Sequence, residues 1–255
     1  MINVLLNGCN GKMGQEVTKQ ICQYPDMVLS CGFDIYDNEL NTFPVYKKID
    51  DIKNSVDVII DFSYPTSTLN ILEFAIKNKI PIVIATTGFS EDEKLKIKKA
   101  AEIIPIFQSA NMSFTINLIS KILENISPIF KNNDIEIIET HHNQKKDAPS
   151  GTAFLLANSI NNGLNNSMNY IFDRHSINNK REKNEIGFSC IRGGNIVGEH
   201  TVKFFDLDES FEITHTTYSR SVFANGALKA AQFIVNKPAA LYSMDDLINI
   251  SFSRV

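Results

Sequence analysis

The sequence predicts an α/β protein of two domains, a doubly wound parallel sheet followed by an α+β domain with a mostly antiparallel sheet. Three observations carry this. A glycine-rich turn, "VLLNGCNGKMG", lies between an apolar run and a helical pattern near the start. Through the first part of the chain, short Val- and Ile-rich runs alternate with helical patterns, as parallel strands joined by crossover helices do. From about "NDIEIIET" onward the texture shifts to long β-patterned stretches.

In order, "INVLL" reads as the first strand and "GQEVTKQICQY" as its helix. "MVLSCGFD" and "DVIIDFS" read as strands, then "STLNILEFAIKNK" as a helix, "IPIVIATT" as a strand and "SEDEKLKIKKAAE" as a helix. "SGTAFLLANSINNGL" is one helix in the second part, and the Asn-rich "INNGLNNSMN" a solvated loop. "EIGFSCIRGG", "IVGEHTVKFFDL" and "SFEITHTTYS" are strand-like. The last stretch, after Asn225 and Gly226, is helical again and could pack back on the first domain.

Composition excludes several function classes. The chain has 255 residues, 43% hydrophobic and 21% charged, with a net charge of -4. That is ordinary globular composition without basic character for nucleic acid or an anionic membrane, so any anion site must be local. No run of eighteen apolar residues supports a membrane span. The start lacks the basic and apolar regions of a signal peptide, and a cytoplasmic location is expected. Cys9, Cys22, Cys31 and Cys190 form no CxxC pair and are expected to be reduced and mostly buried.

Gly8, Gly11 and Gly14 would let a dinucleotide pyrophosphate approach the backbone at a helix N-terminus. The spacing is GxxGxxG rather than GxGxxG, and any tight turn between strand and helix can hold glycines. Asp34 strengthens the reading, twenty positions after Gly14, where an acid that binds the adenosine ribose is expected. Two further strand ends, Asp61-Phe62-Ser63 and Ala85-Thr86-Thr87-Gly88, could line the nicotinamide side or be ordinary turns with hydroxyl caps.

The stretch "ETHHNQKKDAPSGTA" holds most of the chemistry. His141 and His142 point to opposite faces of a strand and no further ligand follows at metal spacing, so they make a poor chelate. A solvated polar turn is the plain alternative. Against it, Pro149 and Ser150 open a helix whose free N–H groups suit a carboxylate. Ser150 and Thr152 could hold one carboxylate, while Lys145, Lys146 or a protonated histidine holds another or supplies a proton. The substrate implied is a small dianion, and a histidine beside a nicotinamide suits the proton transfer that accompanies hydride addition.

The order Glu136-Ile137, Glu139, His141, Lys145, Asp147, Pro149-Ser150-Gly151-Thr152-Ala153 resembles the signature of the 4-hydroxy-tetrahydrodipicolinate reductase (dihydrodipicolinate reductase) family. Similarity continues through GCNGKMG, DFSYP, ATTGF, SANMS, "RGGNIVGEHTV", "EITH" and "FANGALKAA", nearly the whole chain. Two departures stand out: the stretch between Asp34 and "DVIIDFS" is shorter than in many members, and Ile35 follows the acid where some carry arginine.

The resemblance implies a Rossmann-like domain of residues 1–112 and 222–255, and a substrate-binding and oligomerisation domain of residues 113–221. It implies reduction of 4-hydroxy-tetrahydrodipicolinate in lysine and diaminopimelate synthesis. His141 would be the general acid with Lys145 as its partner, and His142, Ser150, Gly151 and Thr152 would bind the substrate carboxylates. Cofactor positions would be Gly8, Cys9, Asn10, Gly11, Lys12, Met13, Asp34, Phe62, Ala85, Thr86, Thr87, Ser109, Ala110, Asn111 and Met112. A metal-free homotetramer is implied. Asp34 with no cation among Ile35, Tyr36 and Asp37 favours NADH, while Lys12 leaves NADPH possible. The rival readings are another two-domain dehydrogenase acting on an amino or hydroxy acid, and a nucleotide-binding sensor without chemistry.

Overall fold

The computed structural model describes residues 1–36 and 41–252; Asp37, invoked above in the cofactor argument, lies outside the described residues. The first elements are β1 (Ile2–Asn7), α1 (Lys12–Gln20), β2 (Met27–Phe33), β3 (Val45–Tyr46), β4 (Val58–Asp61), α2 (Pro65–Asn78), β5 (Ile82–Ile84), α3 (Glu91–Ala100) and β6 (Pro105–Gln108). The middle holds α4 (Phe114–Ile126), β7 (Asp134–His141), α5 (Gly151–Gly163), β8 (Asn169–Ile171), β9 (Glu185–Arg192), β10 (Gly198–Phe205) and β11 (Ser210–Thr217). The last are α6 (Ser221–Ile234), β12 (Ala240–Tyr242) and α7 (Met244–Phe252). Two compact units result: Met1–Phe114 with Arg220–Val255, and Thr115–Ser219.

The first unit holds a parallel sheet ordered β12-β6-β5-β4-β1-β2-β3. Its strands are apolar on both faces because both are covered. Val4, Leu6, Val58 and Ile60 join Ala227, Leu228, Ala231 and Ile234 of α6 in one core. Leu5, Ile59, Ile82 and Ile84 join Ile71 and Ala75 of α2 and Ile97 of α3 in the other. Local signals set the helix starts. Pro65 opens α2, where a missing N–H costs nothing. Ser90 and Glu93 form a capping box on α3, which has acids in its first turn and Lys98 and Lys99 in its last. The chain runs outward from β1 to β3, then returns to β4 on the other side of β1. This makes a switch point between β1 and β4, where such sheets bind ligands.

In the second unit the sheet is ordered β11-β10-β7-β9-β8. The antiparallel pairing expected from sequence holds for β10 with β7 and β11, whereas β9 pairs parallel with both β7 and β8. The parallel part follows from α5, which carries the chain across the sheet after β7. α5 buries Ala153, Leu156, Ala157 and Ile160 against Ile135, Ile137, Val202 and Phe204. The Asn-rich segment is not all loop: its first residues, Ile160 to Gly163, end α5. Asn165 and Asn166 then take left-handed conformations, and Asn161 ties the turn by bonding the Met168 backbone.

Candidate active site

The glycine-rich turn sits at the carboxyl end of β1. Gly8 has φ +77°, and a Cβ there would lie 2.4 Å from the Phe62 carbonyl oxygen. A Cβ on Gly14 would lie 2.3 Å from the Gly8 oxygen, so the helix can approach the turn only with glycine there. Gly11 is the N-cap of α1 and offers no side-chain cap, and the first turn holds no acid. These N–H groups and the helix dipole fit a pyrophosphate. Asp34, 9% exposed, accepts from Asn10 N at 2.9 Å and from Tyr36 N at 3.0 Å, which fixes its carboxylate at the rim of the turn.

A cleft of about 870 Å³ brings Gly8, Asn10, Gly11, Lys12, Met13 and Asp34 together with Phe62, Ala85, Thr86 and Thr87. Lys12 is exposed in it. Ser109 and Ala110 line a second cavity of about 610 Å³ that shares Thr86 and Thr87 with the first. The side chains of Cys9 and Met112 are core, 0% and 3% exposed, so only their backbone could serve a ligand. Burial pushes the Cys9 thiol up to about 12, with the Asp34 charge adding to it. Asn111 Oδ1 accepts from Ser113 N at 2.9 Å.

Asp61, at the end of β4, is wholly buried. Oδ1 accepts from Asn7 Nδ2 at 2.7 Å and Ser63 Oγ at 2.5 Å, and Oδ2 accepts from Thr68 Oγ1 at 2.6 Å and Thr86 Oγ1 at 2.8 Å. Burial raises its pKa above the ordinary 3.8, and these bonds offset the rise only in part.

The second unit's polar cluster centres on Glu139, whose side chain is 0% exposed. Glu139 Oε1 accepts from Arg192 Nη2 at 2.8 Å and Ser150 N at 3.1 Å. Glu139 Oε2 lies 2.7 Å from His141 Nδ1 and 3.8 Å from His200 Nε2. Burial would raise this carboxyl, but the polar groups beside it, His141, Arg192, the Ser150 amide and Cys190, outweigh burial and hold it well below the carboxylate range. His200 meets His141 edge-on, ring centroids 5.0 Å apart, and is lowered to about 4 by burial, with the His141 charge next.

Ser150 is the N-cap of α5, its Oγ accepting from Ala153 N at 3.1 Å and bonding His200 Nε2 at 3.0 Å. At 2% exposure it is a cap within the cluster rather than a hydroxyl at the surface. Gly151 is exposed and Thr152 half-buried at the open start of the helix, which has no acid in its first turn. Lys145 pairs with Asp147 at 2.9 Å, and Arg192 donates to the Asp147 carbonyl at 2.7 Å. His142 holds the turn through its backbone, donating to Ile196 O at 2.8 Å. The partner that His141 meets is thus Glu139.

Sequence reasoning passed over Arg192, Gly198 and His200. Sheet register delivers them: Arg192 lies opposite His141, and His200 opposite Glu139. Glu139, His141 and His200 lie within 4.8 Å of one another, a spacing that could hold a metal ion. Arg192 already supplies the carboxylate's positive charge. Cys9 and Cys31 are buried, but Cys22 and Cys190 are exposed, contrary to the expectation of mostly buried thiols.

A glycine-rich cleft at a switch point in one unit, and in the other a histidine against a buried carboxylate that also caps a helix start, are features of a two-domain nicotinamide-dependent oxidoreductase. The family model described as "Dihydrodipicolinate reductase, N-terminus" matches residues 2–112, and "Dihydrodipicolinate reductase, C-terminus" matches 115–248. The chain belongs to the dihydrodipicolinate reductase family. It is 45% identical to the 4-hydroxy-tetrahydrodipicolinate reductase of Caldanaerobacter subterraneus subsp. tengcongensis, across 97% of this chain and 98% of that one. It is also 45% identical to the enzyme of the same name from Clostridium tetani, across 98% of each. In fold it is similar to the dipicolinate-bound dihydrodipicolinate reductase of Paenisporosarcina sp. TG-14, with a TM-score of 0.80, 24% identity, and 95% and 97% of the two chains covered.

Proposed function

We propose that the chain reduces 4-hydroxy-tetrahydrodipicolinate to tetrahydrodipicolinate in lysine and diaminopimelate synthesis, with His141 as proton donor. The observation that carries this is the contact of His141 Nδ1 with the buried Glu139 carboxylate, which turns one ring nitrogen inward and leaves Nε2 for chemistry. A bound nicotinamide supplies the hydride. The α1 N-terminus would hold its pyrophosphate and Asp34 its ribose hydroxyls. Gly151 and Thr152 at the start of α5 would orient one substrate carboxylate, and Lys145 and His142 the other. His141 would then deliver a proton from Nε2 to the reduced ring.

The assay is NADH oxidation in the presence of the aldolase-derived precursor. His141→Gln is expected to lower kcat by about 10² to 10⁴ with NADH affinity nearly intact, and an unchanged kcat would remove the assignment. Pyridine-2,6-dicarboxylate should compete with substrate. The reading includes a cytoplasmic homotetramer assembled through the second unit's sheet, which sedimentation would test. It also includes a modest preference for NADH, about threefold to thirtyfold in kcat/KM, because Asp34 opposes a 2′-phosphate and Lys12 offsets part of that. Lys12→Ala should widen the preference and Asp34→Ala narrow it.

A further inference from the structure

We propose that Glu139, anchored by Arg192 and the Ser150 amide, is a positioning residue that keeps a proton on His141 Nδ1 and so leaves Nε2 to carry the transferable one. This rests on the reading of His141 as the proton donor. Among the described residues the charged and titratable groups around His141 come from every neighbouring element. Glu139 shares its strand, Cys190 and Arg192 lie opposite on β9, His200 on β10 has His215 of β11 beyond it, and Lys145 with its partner Asp147 follows in the turn.

Of these, Glu139 is the carboxylate in contact with the ring, with Oε2 2.7 Å from Nδ1. Its other oxygen is held by two donors, the Arg192 guanidinium and the Ser150 N–H. The carboxylate therefore cannot turn away from the histidine without breaking both bonds. The contact with Nδ1 is close but bent, the state in which catalytic hydrogen bonds often stand before substrate aligns them. On the opposite edge of the ring, Nε2 would lie 3.0 Å from a Cβ built on Gly198, so the strand beside it stays clear only because residue 198 has no side chain. Proton balance is simple. Protonated His141 carries N–H at both nitrogens, Nε2 gives its proton to the substrate, and the neutral ring is left with N–H at Nδ1 facing Glu139.

The full-length protein is labelled with ¹⁵N-histidine, and the neutral His141 ring is read for the nitrogen that bears the proton. Nδ1 is expected, and a proton on Nε2 overturns the proposal without any variant having to fold. Steady-state kinetics of Glu139→Gln, His141→Gln and the double variant follow, across pH and with NADH affinity measured separately. Glu139→Gln should lower kcat about 10- to 100-fold, move the alkaline limb of kcat/KM to lower pH and leave NADH affinity unchanged. The double variant should be no slower than His141→Gln, because the two act through one proton. A merely structural Glu139 would instead lower Tm, leave the pH profile in place and add to the His141 loss, and that result sinks the proposal. Slow His141→Gln beside full-speed Glu139→Gln removes this proposal alone, whereas full-speed His141→Gln removes the proton-donor reading as well.

Discussion

Asp61 and Glu139 are both carboxylates buried at the ends of strands, yet the two units treat them in opposite ways. Asp61 is surrounded by uncharged donors from β1, α2 and the loops after β4 and β5, and its pKa is raised. Glu139 faces a guanidinium and a histidine, and its pKa is lowered. Neutral dipoles immobilise a carboxylate without repaying the whole cost of taking its charge out of water, whereas a cation repays it and leaves a charge that a neighbour can feel. Asp61 thus ties strand ends together beside the glycine-rich cleft, while Glu139 keeps its charge against a histidine.

The widest break in the comparison is expected from Arg192→Met. It leaves the Glu139 charge without its fixed cation and should cost about 2–4 kcal/mol in urea unfolding, at the lower end for a broken buried pair because Arg192 keeps some contact with water. A loss below about 1 kcal/mol would mean that Glu139 is not charged. Next, Asp61→Asn should cost about 1–3 kcal/mol, because an amide N–H₂ would face hydroxyl donors.

The pH dependence of the two carboxylate variants sharpens the contrast. A raised folded pKa gives stability that is full below the unfolded value near 3.8 and lost as pH rises through the folded value. The deficit of Asp61→Asn should therefore grow on going from about pH 8 to 4. The lowered pKa of Glu139 gives stability that is present above the unfolded value near 4.5 and lost as pH falls. The deficit of Glu139→Gln should therefore shrink below about pH 4.5. Parallel slopes in urea titrations of the two variants would erase the distinction.

Gly198→Ala is expected to have the smallest effect. Its Cβ would crowd His141 Nε2 at 3.0 Å, so the ring must give by a few tenths of an ångström. Several-fold loss of kcat with about 1 kcal/mol or less of stability should result. Equal activity would show that the ring has room to spare.

Those residues also show where the sequence stops being legible. Parallel strands such as β1, β2 and β4 stand out because burial on both faces makes them continuous apolar runs. The strands β3, β8 and β12 are only two or three residues long and carry almost no pattern. In α4, "FTINLISKILENI", Ile119, Ile122, Leu123 and Ile126 keep helical spacing, but its β-branched isoleucines and threonine have low helix propensity and resemble a strand's composition. The site divides likewise. His141, Lys145 and the α5 start are contiguous, so turn and cap chemistry exposes them. Arg192, Gly198 and His200 join them only through the register of β9 and β10 with β7, which local pattern does not encode.

The first unit is made from two separated segments, 1–114 and 220–255, while the second is one continuous stretch. On the ribosome the consequence is an order of events. Val4, Leu6 and Val58 share their core with α6, which is synthesised more than a hundred residues after β6. The second unit has every strand of its sheet before α6 emerges and can close on its own core first. The first unit's core would then close last, and a nascent chain stalled before Ser221 would leave the apolar face that α6 covers without its partner.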